Sequence, residues 1–102
     1  MTPTRRSSRA PSHGAAQVSV GVADMRLSNE PGCTLATFGL GSCIGIACYD
    51  RIARVGAMLH AQLPFASDNR ELAASNPFAF VDAGTAATLA ALSRYGARTS
   101  RL

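Results

Sequence analysis

Hydrophobic residues make up 47% of the 102 residues and charged ones 16%, so the chain can build one domain with a real core and no more. The formal charge of +4 dissolves once it is located: Arg5, Arg6 and Arg9 sit in the first ten residues, and from Ala10 onward seven arginines face six acids. That near-neutral remainder lacks the clustered basic face of a nucleic-acid binder; no apolar run approaches the ~20 residues of a membrane span; and no apolar stretch follows the first arginines as a secretory leader requires.

Met1 to Ala16 holds Pro, Ser, Arg and Gly with almost no large apolar side chain, a composition that cannot offset ordering entropy, so residues 1–16 are predicted to be a disordered Arg/Ser-rich tail. Its arginines and serines without acids are weakly like a transit peptide, but a flexible tail is the simpler reading. The folded domain is expected over 17–102. Val18, Val20 and Val22 alternate with small or polar residues, the period of a half-buried strand. Asn29 to Gly32, with Pro31, is a turn cluster that also takes in Cys33, and Thr34 to Phe38 is a second strand.

Ile44 to Tyr49 predicts a third strand and Val55 to Leu63 a fourth, stopped by Pro64; the short Asp50–Arg54 link makes them an antiparallel hairpin. Pro64 to Pro77 is polar and irregular and is expected to be a mobile loop. After it, Val81, Thr85, Leu89 and Leu92 fall on one helical stripe, with Asp82 near the start and Gly96 as the stop. The helix should lie across the sheet, an α+β sandwich with a mostly antiparallel or mixed sheet.

Between the second and third strands runs Thr37-Phe-Gly-Leu-Gly-Ser-Cys-Ile-Gly45. Its glycines permit sharp turning, and Cys43 sits in the middle. A cysteine on such a loop, with His60 on a separate apolar run, suggests a thiol nucleophile and its base. Amides around Gly41, Ser42 and Cys43 are candidate donors to an oxyanion, and the arrangement suits acyl transfer at an amide or ester. The residues alone leave a blander reading open: Cys43 as a small buried hydrophobe, His60 as a core-edge histidine bonded to backbone, Thr37 as an ordinary strand threonine. Cys48 alternates with apolar neighbours and reads as packing.

Three cysteines at irregular spacing do not form a disulfide framework, which fits a reducing cytoplasm. Without any C-x-x-C pair, a metal site from Cys33, Cys43, Cys48 and His60 is not supported. The glycine loop has Ile44 where a dinucleotide fingerprint needs its third glycine, and a chain with no lysine has no P-loop lysine.

Thr37, Gly39-Leu-Gly-Ser-Cys-Ile-Gly45, Tyr49-Asp50, Val55-Gly56, and His60 with Leu63-Pro64 together resemble the chemoreceptor glutamine deamidase family, CheD. Val20 to Met25 resembles its first strand, and Asn76-Pro77, Phe80-x-Asp82 and Gly96-Ala-Arg98 resemble its helix and the helix exit. The resemblance runs from about Val18 to Leu102. It implies an α/β sandwich, a cysteine nucleophile at Cys43, its base at His60, a completing threonine at Thr37, and no cofactor.

The implied reaction converts glutamine side chains of methyl-accepting chemoreceptors to glutamate, with hydrolysis of glutamyl methyl esters as a related activity. The implied partners are the cytoplasmic helices of those receptors and the phosphatase CheC. The family continues for several dozen residues past the position of Leu102, so the chain is expected to lack the last strands. A sheet position would then stay unfilled and the stripe through Leu89 and Leu92 partly uncovered. The rival expectation is an inactive module that only binds receptor or CheC.

Overall fold

The computed structural model describes residues 16–102. Of the predicted tail, residues 1–15 lie outside that range, and Ala16 opens the first strand. Five strands follow: β1 (Ala16–Val20), β2 (Asp24–Ser28), β3 (Cys33–Thr37), β4 (Ile44–Asp50) and β5 (Val55–Ala61). A short helix α1 (Arg70–Ser75) and a longer helix α2 (Val81–Ser93) complete the regular elements.

β1 and β3 pair in parallel, while β2, β5 and β4 form an antiparallel sheet with β5 at its centre. β5 is buried along its length except at Met58, which is half-buried. A central strand covered on both faces reads as a near-continuous apolar run, as Val55 to Leu59 does. Alternation sends Val55, Ala57 and Leu59 toward α2, where Leu59 packs under Gly84 and Leu92 joins Val55 and Ala57. Gly56 and His60 face the β1–β3 pair. The result is an α+β fold in three layers: α2, the antiparallel sheet, and the parallel pair. The β4–β5 hairpin, its short link and the helix across the sheet are as the sequence predicts.

Elsewhere the structure departs from those expectations. The alternation through Val18, Val20 and Val22 does not make one strand. The chain turns a corner after Val20, with Val22 exposed and Ala23 in the left-handed region at φ 57°. There the Ala23 amide donates to the His60 carbonyl at 2.8 Å, and β2 leaves for the other sheet. Cys33 is not in the turn but is the first residue of β3, paired with Ala16.

The segment 64–77 is not an irregular loop. It holds a single 3-10 turn over Ala66–Asp68 and then α1, whose first turn is capped by the Asn69 side chain accepting from the Leu72 amide at 3.0 Å. The Asp82 carboxylate accepts from the Ala66 amide at 3.0 Å and ties this stretch to the start of α2.

The buried stripe of α2 is rotated from the predicted one. Gly84, Thr88 and Leu92 are buried, whereas Val81, Thr85 and Leu89 are half-buried. A Cβ on Gly84 would stand 3.1 Å from a Leu59 methyl and 3.3 Å from the Phe78 Cα, so the missing side chain lets the helix approach the sheet. Thr88 sits in the core because its hydroxyl donates to the Gly84 carbonyl at 2.7 Å. Leu92 is fully buried, not partly uncovered.

In the sequence Asp50 reads as the start of the hairpin link and as part of the Tyr49-Asp50 resemblance. Its carboxylate has no exposed surface and gathers the turn and the last residues. It accepts from the amides of Ile52 at 2.9 Å, Ala53 at 3.0 Å and Arg98 at 2.9 Å, and from the Arg101 guanidinium at 2.9 Å. The Arg101 guanidinium holds the Asp50 carboxyl well below the usual carboxylate range, and the backbone amides add to this against the opposing effect of burial.

Candidate active site

Gly39 and Gly41 adopt left-handed conformations, φ 68° and 47°, which carry the chain from β3 into a tight turn and back into β4. The turn closes where the Cys43 amide donates to the Leu40 carbonyl at 2.5 Å. Cys43, half-buried, is thereby placed immediately before β4, two residues ahead of Gly45. Gly45 is the strand partner of His60. Any Cβ on Gly45 would touch the Leu40 methyls at 3.4 Å and the Thr37 methyl at 3.7 Å, so the glycine loop folds back over the β4–β5 pair just where His60 sits.

His60 is fully buried. Its Nδ1 lies 2.8 Å from the Thr37 hydroxyl oxygen, which in turn lies 2.8 Å from the Val20 carbonyl oxygen. The direction of this relay follows from chemistry. A carbonyl only accepts, so the single hydroxyl proton of Thr37 goes to Val20, and Thr37 must accept from an Nδ1–H on His60. Nε2 is then the bare nitrogen, and it is buried with no hydrogen-bond partner among the described residues. Leaving a buried polar atom unpaired costs about 1–3 kcal/mol, and such atoms call for an explanation in function.

The structure thus brings Thr37 and His60 into direct contact and places Cys43 on the neighbouring segment, without a hydrogen bond to Nε2. Gly41 and Ser42 lie in the exposed part of the loop. The Cys43 amide, expected as an oxyanion donor, is instead spent on the Leu40 carbonyl. Cys48 packs on the core cluster of Val55, Ala57 and Leu92, and burial pushes its thiol pKa up. Cys33 lies at the far end of the parallel pair.

Sequence reasoning missed two features. The Val20 carbonyl orients Thr37, and no residue type signals a backbone group. Phe38, Leu40 and Ile44 are exposed and give the loop an apolar rim, and Val22 is exposed on the corner after β1; the only sequence hint is a Phe placed where the strand should have ended. A cleft of about 400 Å³ opens elsewhere, between the start of β3 and the β4–β5 turn. Arg51, Arg54, Glu30 and Cys33 line it, but no histidine does. Among the described residues no helix is long and apolar enough to cross a membrane.

No protein-family model and no solved structure matches the chain. Curated relatives do. A protein of Symbiobacterium thermophilum is 42% identical over 83 residues, 81% of this chain and 50% of its own length. One of Solibacter usitatus is 41% identical over 86 residues, 84% of this chain and 51% of its own. One of Thermococcus kodakarensis is 40% identical over 86 residues, with 84% and 52% covered. Each is named a probable chemoreceptor glutamine deamidase, CheD. The chain spans about half the length of the curated relatives it matches. By this similarity, the chain matches the CheD family over about half the length of these relatives.

Proposed function

We propose that this chain is a cysteine amidohydrolase that converts glutamine side chains of methyl-accepting chemoreceptors to glutamate. The carrying observation is the Val20–Thr37–His60 relay, which leaves a bare, buried Nε2 beside the segment that bears Cys43. Cys43 Sγ attacks the carboxamide carbon while His60 Nε2 takes the thiol proton. The carbonyl oxygen becomes an oxyanion held by loop amides at Gly41 and Ser42. The C–N bond then breaks, His60 returns the proton to the departing nitrogen, and ammonia leaves a thioester on Cys43. Water, deprotonated by the same Nε2, cleaves the thioester to give glutamate and free thiol.

Catalytic hydrogen bonds are often absent before substrate binds. The separation of Cys43 from Nε2 in the free protein accords with a dyad that closes on substrate. None of these steps draws on a cofactor. The substrate helices belong to the cytoplasmic part of the receptors, so this reading places the protein in the cytoplasm. The apolar rim of Phe38, Leu40 and Ile44 offers a surface to a receptor helix or to CheC.

The test is incubation of the protein with receptor cytoplasmic helices, followed by mass analysis of each glutamine. Conversion at particular glutamines, abolished by Cys43→Ala, is the expected result. Folded protein that leaves every glutamine unchanged overturns it. The absence of a hydrogen bond between the Cys43 thiol and Nε2 favours one second reading, a module that holds receptor or CheC without turnover; retained binding with no mass change identifies it.

A further inference from the structure

Asn76 lies 53 positions along the chain from Ala23 and in no strand, yet both ends of its side chain are engaged. Its Nδ2 donates to the Ala23 carbonyl at 2.9 Å, and its Oδ1 accepts from the Phe78 amide at 3.1 Å, capping the 3-10 turn Pro77–Ala79. Ala23 is one of two residues other than glycine, among those described, with positive φ. An alanine there is strained, because its Cβ crowds the following carbonyl. Two groups outside the corner hold it: the His60 carbonyl, which accepts from the Ala23 amide, and the Asn76 side-chain amide, which donates to the Ala23 carbonyl.

The corner matters because both of its ends touch the relay. Val20, at its start, presents the carbonyl that takes the Thr37 proton. Ala23, near its end, donates its amide to the His60 carbonyl at 2.8 Å. From this geometry we infer that Asn76 is a positioning residue for the His60 relay: by clamping the Ala23 corner it fixes the Val20 carbonyl and so the tautomer of His60. With the corner released, the Thr37 hydroxyl loses its acceptor and turns its proton toward Nδ1. The ring proton then resides on Nε2, the atom that must be bare to accept from Cys43. The catalytic part of this inference rests on His60 being the base; the tautomer part does not.

Asn76→Asp separates the clamp from the cap. Aspartate caps as well as asparagine, so Oδ1 still serves Phe78, but the donor to Ala23 is replaced by a second oxygen. The readouts are the two ring-nitrogen chemical shifts of His60 by long-range proton–nitrogen NMR, and the rate of Cys43 alkylation by iodoacetamide at neutral pH. The expected result is a parent protein with the Nδ1–H signature and an Asn76→Asp variant shifted toward Nε2–H, with alkylation slowed about tenfold.

Ala23→Gly makes the left-handed corner cheap. Combined with Asn76→Asp it should restore the parent shifts and most of the rate, and it supplies a folded test protein where the single variant is unstable. Parent-like shifts in Asn76→Asp overturn the inference, as does a double variant that folds but keeps the Nε2–H signature. Cys43 alkylation that is unchanged in His60→Gln defeats the base reading alone, because the nitrogen shifts still judge Asn76.

Discussion

Thr37 and His60 meet at 2.8 Å across the two sheets, and the hydroxyl that joins them has already committed its proton to Val20. Thr37→Val removes that oxygen and leaves both Nδ1 and the Val20 carbonyl unpaired. Alkylation of Cys43 should slow by about tenfold or more, with a stability loss of about 1–3 kcal/mol. Thr37→Ser keeps the oxygen and should stay close to the parent in both. Equal effects from valine and serine would show that the hydroxyl is not what matters.

Cys43 is half-buried at a loop end, so its side chain contributes little to the core. Cys43→Ala should abolish deamidation while leaving the melting temperature within a few degrees of the parent. Cys33→Ala and Cys48→Ala should both retain turnover, Cys48→Ala with the larger stability loss because its side chain packs against Val55, Ala57 and Leu92. Mass analysis of receptor glutamines beside calorimetry separates the three variants. Turnover that survives in Cys43→Ala places the nucleophile elsewhere.

The Asp50 clasp predicts how the fold meets acid. The folded carboxyl titrates below its unfolded counterpart, so the unfolded chain binds the proton more readily. The stabilisation is therefore complete above the unfolded value of about 3.9 and drains away as pH falls through and below it. Asp50→Asn should lower the melting temperature at neutral pH and flatten this acid limb; Arg101→Met should do the same more weakly, since three backbone amides remain. Denaturation followed from about pH 6 to pH 2 checks it, and acid limbs of equal slope in parent and Asp50→Asn would count against the clasp.

Gly84 sets the distance between α2 and β5. Gly84→Val must displace Leu59 or the Phe78 backbone, and a cost of about 1–3 kcal/mol is expected from overpacking. Leu92→Ala empties the other end of the same stripe for about 2–5 kcal/mol, while Leu89→Ala, half-buried, should cost less. Chemical denaturation ranks them; Leu89→Ala exceeding Leu92→Ala would restore the predicted stripe.

Local pattern revealed much of this fold. The apolar runs of β4 and β5 with the Asp50–Arg54 link named their hairpin, and the helical spacing from Val81 with its stop at Gly96 named α2. What stayed hidden was decided over long distances. The corner that splits β1 from β2 depends on Asn76, and alternation through Val22 gives no sign of it. The buried face of α2 passes through Gly84 and Thr88, which a hydrophobic count ignores, because close approach and a satisfied hydroxyl bury them. Asp50 looked like a link residue because its distant partners, Arg98 and Arg101, come 48 and 51 residues later. At the site, residue type proposed Cys43 and His60, and the family resemblance added Thr37. The direction of the relay is visible only once the Val20 carbonyl is in view.

The most direct measurement is the rate at which iodoacetamide labels Cys43 at neutral pH, resolved from Cys33 and Cys48 by peptide mass, in the parent and in His60→Gln. A proton acceptor at Nε2 predicts that the parent labels Cys43 fastest of the three and that the variant loses this advantage while its other two cysteines label as before. Identical Cys43 rates in two folded proteins would mean that the imidazole does not serve the thiol.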